Sequence, residues 1–182
     1  MAKFINLKFL IILLVIALLS GAGYWVYHTY FYINPALEQS LREEFGDEFF
    51  DDFNSLPQAE NDEDQLENIV ARYEPLFKNL EDTATERLEK LYQAAVEEYE
   101  EQKKSGTFDR FKLTNKYINA GRLLENSVDE SFYMMLDQMK TELSRKDLPT
   151  EVVLEIEEAY IEAKDQKKQE LFSRLREKID RK

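Results

Sequence analysis

Few side chains in this sequence are of the types that do chemistry, and they lie far apart. His28 is the single histidine and there is no cysteine. A Ser-His-Asp triad would have to be built on His28, and the Glu-x-x-His pairs of di-iron bundles need two histidines. Without cysteine there are no disulfides, thiolate metal ligands or thiol nucleophiles. His28 sits in an aromatic run, where a ring at a membrane interface is the simpler reading. The acidic groups Asp47/Glu48/Asp51/Asp52 and Asp62/Glu63/Asp64 could collect calcium, which takes several oxygen ligands. They lack the D-x-[DN]-x-[DN]-G loop with its terminal Glu, and read as solvated faces. Glu155 and Glu158 lie one helical turn apart, as paired carboxylates do. A chain with 37 acidic residues produces such pairs by chance. These residues define no catalytic set, no metal site and no cofactor site, so the expectation is a protein that is not an enzyme.

A second group promises binding and not reaction. Phe45, Phe49, Phe50 and Phe53 continue a four-residue stripe begun by Leu37 and Leu41, flanked by acids. This predicts an amphipathic helix over about 35–54, started by Asn34 as N-cap and Pro35 as first helical residue. Phe at that spacing is first a packing face. A short amphipathic helix followed by a polar linker (55–64, with Pro57) also suits docking to a partner, so these four residues are the candidate partner-binding group.

What must position that helix is the stretch before it. Phe9 to Ile33 is twenty-five residues without Asp, Glu, Lys or Arg. About 20 apolar residues cross a bilayer core, and only a helix satisfies its own backbone there. Lys8 on one flank and Tyr24, Trp25, Tyr27 and Tyr30 on the other suit the two interfaces. Lys3 and Lys8 lie before the stretch and an acidic segment lies after it. The positive-inside rule therefore places residues 1–8 in the cytoplasm and everything beyond 33 outside. Membrane lipid is the expected partner of residues 9–33. The rival is a signal peptide cleaved after Ala22, since Ser20-Gly21-Ala22 fits a small-residue cleavage site. Apolar character continues well past Ala22, which favours an uncleaved anchor.

The remainder reads as long helices. Leu66, Ile69, Tyr73, Phe77, Leu80, Ala84, Leu88, Leu91, Ala95 and Tyr99 step by 3-4-4, an eleven-residue repeat that keeps one face nearly straight. Pro75 predicts a bend within that helix. Lys103, Lys104 and Gly106 close it. A second helix over about 108–146 is expected to bury Phe108, Phe111, Tyr117, Leu124, Val128, Phe132, Met135, Met139 and Leu143, with Met134 as core filler beside them. Leu148-Pro149-Thr150 breaks it, and the last helix carries Val153, Ile156, Tyr160, Ala163, Leu171, Leu175 and Ile179. Short connections make neighbours antiparallel. The predicted fold is all-α: one N-terminal transmembrane helix, then an elongated antiparallel three-helix, coiled-coil-like bundle over 65–182.

Charge narrows the partners. Residues 36–110 hold 22 acids against 8 bases, and residues 111–182 hold 15 against 14. The excess of acid argues against nucleic acid and against anionic lipid as a bed for the domain. It leaves a protein partner or self-association. The basic tail from Lys164 finds its match within the same bundle. With no cysteine and no Asn-x-Ser/Thr sequon, the expectation is an exported bacterial envelope protein that works as a scaffold or interaction component. The alternative is an envelope cation- or ligand-binding sensor using the acidic clusters.

Overall fold

The computed structural model describes residues 33–51, Phe53 and 65–180, with side chains described to Arg174 apart from that of Phe172. The described residues form helices and no strand: α1 (Pro35–Phe45), α2 (Glu48–Asp51), α3 (Leu66–Ser105), α4 (Arg110–Arg145) and α5 (Glu151–Asp180). The transmembrane stretch lies, but for Ile33, outside the described residues. Among those described, no helix is long and apolar enough to cross a membrane.

The capping residues act where the sequence puts them. Asn34 accepts the Ala36 N–H through its side chain at 2.9 Å and Pro35 opens α1. Gly106 ends α3 in the left-handed region at φ 71°, with Lys103 and Lys104 in the last turn. Asp109 caps α4 by accepting from the Lys112 N–H at 3.0 Å. Asp147, a residue type tolerant of positive φ, turns the chain out of α4 at φ 53°.

α3 and α4 are the framework, an antiparallel hairpin whose helices of 40 and 36 residues run about 60 and 54 Å at 1.5 Å per residue. All ten stripe residues of α3 are buried or half-buried. Ile69, Leu80 and Leu91, eleven apart, are 1–4% exposed. An eleven-residue period is close to the true helical repeat, so these three return to the same side without drift. Helix α3 runs through Pro75 without interruption. Facing it, Leu124, Phe132, Met135, Met139 and Leu143 of α4 are almost wholly buried. Each such side chain stabilises the fold by roughly 1.5–3 kcal/mol relative to exposure.

Several expectations are corrected. The helix anticipated over 35–54 is two: Gly46 adopts φ 90°, ψ 148°, and its N–H closes α1 on the Arg42 carbonyl. That backbone conformation is open to glycine and not to a helix interior. Phe108 precedes α4 and is 38% exposed, and Phe111 in its first turn is 82% exposed. The hairpin there has already narrowed to Tyr99 against Phe108, with ring centroids 5.2 Å apart, so Phe111 has no facing helix to bury it. Met134 is exposed while Met135 and Met139 are core, one step of helical rotation separating them. Ala163 is exposed too.

α5 packs antiparallel on α4. Tyr160 stacks flat on Phe132 with centroids 3.8 Å apart and planes at 10°, and Val153 is buried beneath the α4–α5 turn. α1 and α2 lie along α4, with Leu41 and Phe50 fully buried in the same core.

Candidate docking site

The four candidate phenylalanines divide into two kinds. Phe50 is 0% and Phe53 8% exposed, so both are core. Phe45 and Phe49 are half-buried. The break at Gly46 brings the group together: Phe45 lies 5.4 Å from Phe49 and 6.4 Å edge-on from Phe50, and Phe49 lies 5.1 Å from Phe50, ring centre to ring centre. Such tilted and edge arrangements suit the ring quadrupoles. Arg87 of α3 fixes the cluster to the hairpin. Its guanidinium lies 4.1 Å over the Phe53 ring and donates to the Phe49 carbonyl at 2.9 Å. Between α2 and α3 a shallow depression of about 570 Å³ remains, lined by Phe45, Phe49, Glu48, Thr83, Arg87 and Lys90 among others. Its lining also includes Asp47 and Glu86, and Lys90 is paired with Glu86 at 2.7 Å, so it offers two half-buried rings in a surround of mixed charge.

Of the acidic residues considered as calcium ligands, Asp51 is taken by Arg42, which also pairs with Glu38 at 3.1 Å and lies 3.7 Å from Asp47. Hydrogen bonding to Asp51 holds the Arg42 guanidinium above its ordinary pKa against the pull of burial. Asp52, Asp62, Glu63 and Asp64 lie outside the described residues, as do His28 and the interface group Lys8, Tyr24, Trp25, Tyr27 and Tyr30. No three His, Asp or Glu side chains among the described residues are placed to hold a metal ion. Glu155 and Glu158 both point to solvent.

The polar contacts that position the elements were not readable in the sequence, because their partners lie tens of residues apart. Lys116 of α4 joins three helices, reaching Glu44 of α1 at 2.7 Å and Glu98 of α3 at 2.8 Å. Tyr117 donates to the same Glu98 at 2.9 Å. Burial works against the Glu98 carboxylate, yet the bonds from Lys116 and Tyr117 outweigh it and hold the group below its usual range. Burial and the neighbouring carboxylate both push the Tyr117 phenol up. On the other side, Asp129 accepts from the Tyr160 hydroxyl and from Lys164 at 2.9 Å, while Lys168 reaches Glu125 at 2.7 Å. At the base, Glu142 of α4, 9% exposed, accepts from Arg72 and Tyr73 of α3. The expected match of basic tail and acidic hairpin appears as Arg174 of α5, bidentate on Glu89 of α3 at 2.7 and 2.8 Å. Every buried side-chain polar atom among the described residues has a partner, so these networks hold elements together without leaving an unsatisfied group aimed at a ligand.

Compared with protein families, with curated proteins and with solved structures, the chain matches none.

Proposed function

We propose that this is a single-pass, membrane-anchored scaffold of the bacterial envelope, with its N-terminus in the cytoplasm and its helical domain outside. It works by position and not by catalysis. The observation that supports this most is the continuity between the uncharged stretch and the fold. The stretch ends at Ile33, which already packs on the core, and Asn34 caps α1 at once. A bilayer segment joined this way holds the hairpin at a set height and orientation, with no loose linker to average them out. The docking element is the half-buried pair Phe45 and Phe49 beside Arg87 and Lys90, presented close to the lipid surface.

An alkaline phosphatase fused behind Lys182 tests the topology, since that enzyme matures only outside the cytoplasm. The expected result is an active, membrane-bound fusion; an inactive fusion, or a mature protein beginning at Gly23, overturns the anchor. A photo-crosslinking residue at Phe49 tests the docking element in native membranes. One distinct captured protein is expected, and crosslinks confined to the chain's own bundle overturn the docking role.

A further inference from the structure

The turn that joins α3 to α4 differs in charge from the chain around it. Formal net charge is −13 overall, yet residues 103–112 hold four bases and one acid. That acid, Asp109, is engaged as the cap of α4. Residues 103–112 are all exposed. The ion pairs that hold the fold draw on Arg42, Arg72, Lys116, Lys164, Lys168 and Arg174. Lys103, Lys104, Arg110 and Lys112 enter none of them.

Apolar side chains stand among these cations. Phe111 is 82% exposed, and Ile118, seven residues on and so on the same side of α4, is 46% exposed. Phe108, 38% exposed, leans edge-on against Tyr99, and the Lys103 ammonium lies 5.0 Å over that tyrosine ring. The turn that presents them is tied down. The Thr107 N–H donates to the Gln102 carbonyl at 3.0 Å, the Asp109 N–H donates to the Gln102 side chain at 3.3 Å, and the Ser105 and Thr107 hydroxyls lie 2.7 Å apart. An ordered turn therefore holds the Phe111 ring out in water, with its apolar surface unburied.

Shape and charge together identify what covers it. The end of a hairpin projects, so a folded partner would need a socket for the ring with acids placed around it. A bilayer interface supplies both without a preformed socket. It takes an aromatic ring at headgroup depth, and its anionic lipids attract the four cations, each adding about a fivefold preference for a charged surface. We propose that the hairpin tip is a lipid-contact site that seats Phe111 in the interface of an anionic bilayer, with Lys103, Lys104, Arg110 and Lys112 among the headgroup phosphates. The acidity of the rest of the domain opposes lying flat on the same surface, so the tip alone makes the contact. The docking role of Phe45 and Phe49 plays no part in this, and a cleaved chain would carry the same tip as an anchored one.

The chain has no cysteine, so one environment-sensitive label can be placed by Thr114→Cys, at an exposed position one turn from Phe111. The full-length labelled protein is reconstituted into vesicles of phosphatidylcholine, alone or mixed with phosphatidylglycerol. The expected result is blue-shifted emission, quenched by spin-labelled lipid, in the mixed vesicles and not in phosphatidylcholine alone. Salt at about 1 M, where the Debye length is ~3 Å, is expected to release the tip. The same label at Ile161→Cys is expected to stay in water. Its neighbour Tyr160 stacks on Phe132, twenty-one residues after Phe111, which places it about 30 Å along α4 from the tip. Lys112→Gln should weaken the contact about fivefold and Phe111→Ser about tenfold, both with helical content unchanged. A label at position 114 that stays in water in both lipids, or a shift that ignores lipid charge, overturns the proposal. So does a shift equally large at position 161, or one set by protein density and not by lipid, which would make a second copy the occupant. A chain that fails to enter vesicles refutes the anchor and not the tip, whose label is then read with vesicles added from outside.

Discussion

At the scale of single residues, charged groups between helices set how stability depends on pH. Burial disfavours the Glu125 carboxylate, but the bonds from Lys168 and Lys164 prevail and hold its pKa down; Glu98 is held down similarly. A depressed carboxyl contributes its stabilisation above the ordinary value of 4.5 and loses it as pH falls through the folded value. Tyr117 and Tyr160 are raised, first by burial and then by the carboxylates that accept from them. Their contribution is complete below the ordinary 10.0 and is lost as pH rises through the folded value. The midpoint of thermal unfolding should therefore be flat from about pH 5 to 9.5 and fall on both sides. Tyrosinate absorbance should show Tyr117 and Tyr160 ionising late, together with Tyr73, which burial and Glu142 also raise, and one fewer late component in Tyr160→Phe. Smooth ionisation of every tyrosine in the folded protein would contradict the network. The phenylalanines give a second residue-scale prediction. Phe50→Ala, at a site with no exposure, should cost about 3–5 kcal/mol in urea unfolding, and Phe49→Ala about 1 kcal/mol or less. Equal losses at the two positions would mean that Phe49 belongs to the core and is not free to dock.

At the scale of elements, two glycines with equal open space predict opposite outcomes. A Cβ added at Gly106 or at Gly121 meets nothing within 4 Å, so only the backbone decides. Gly106 holds φ 71° at the end of α3, and Gly106→Ala should destabilise by about 1 kcal/mol. Gly121 is inside α4, and Gly121→Ala should stabilise by about 1 kcal/mol. Melting temperatures moving in the same direction would rule out one of the two backbone assignments. These same elements show what the sequence could tell. The hairpin was legible because its information is local: caps at Asn34 and Gly106, breakers at Pro149, and a stripe in α3 whose period matches the helix. Phe108 and Phe111 misled because periodicity marks a face without saying whether another helix stands opposite. Gly46 was passed over because one glycine inside an amphipathic pattern is usually tolerated, and only the return of Phe49 and Phe50 onto Phe45 requires the break. The candidate Phe group was found by spacing, but the split between core Phe50 and half-buried Phe49 depends on Arg87, thirty-four residues after Phe53. The ties through Lys116, Asp129 and Glu142 left no trace in spacing, since charges in a chain this rich in them pair in too many ways.

For the whole molecule, burial is graded, and the gradient predicts how the protein opens. α4 is central: α3 packs along it on one side, α1 and α2 on another, and α5 leans on it through Val153, Tyr160 and the Asp129 network. α4 has twelve buried residues, whereas Val153 is the one buried residue among the described side chains of α5. Helical hydrogen bonds of α5 are therefore backed by ion pairs such as Lys164–Asp129 and Arg174–Glu89, whose net contribution is small when solvent reaches them. Native-state hydrogen exchange should find the amides from Phe132 to Leu143 opening only with global unfolding, and those of α5 beyond Tyr160 opening locally at lower free energy. Protection in α5 at the level of α4 would mean that the Lys164–Asp129 and Arg174–Glu89 pairs hold the helix as firmly as the buried core holds α4.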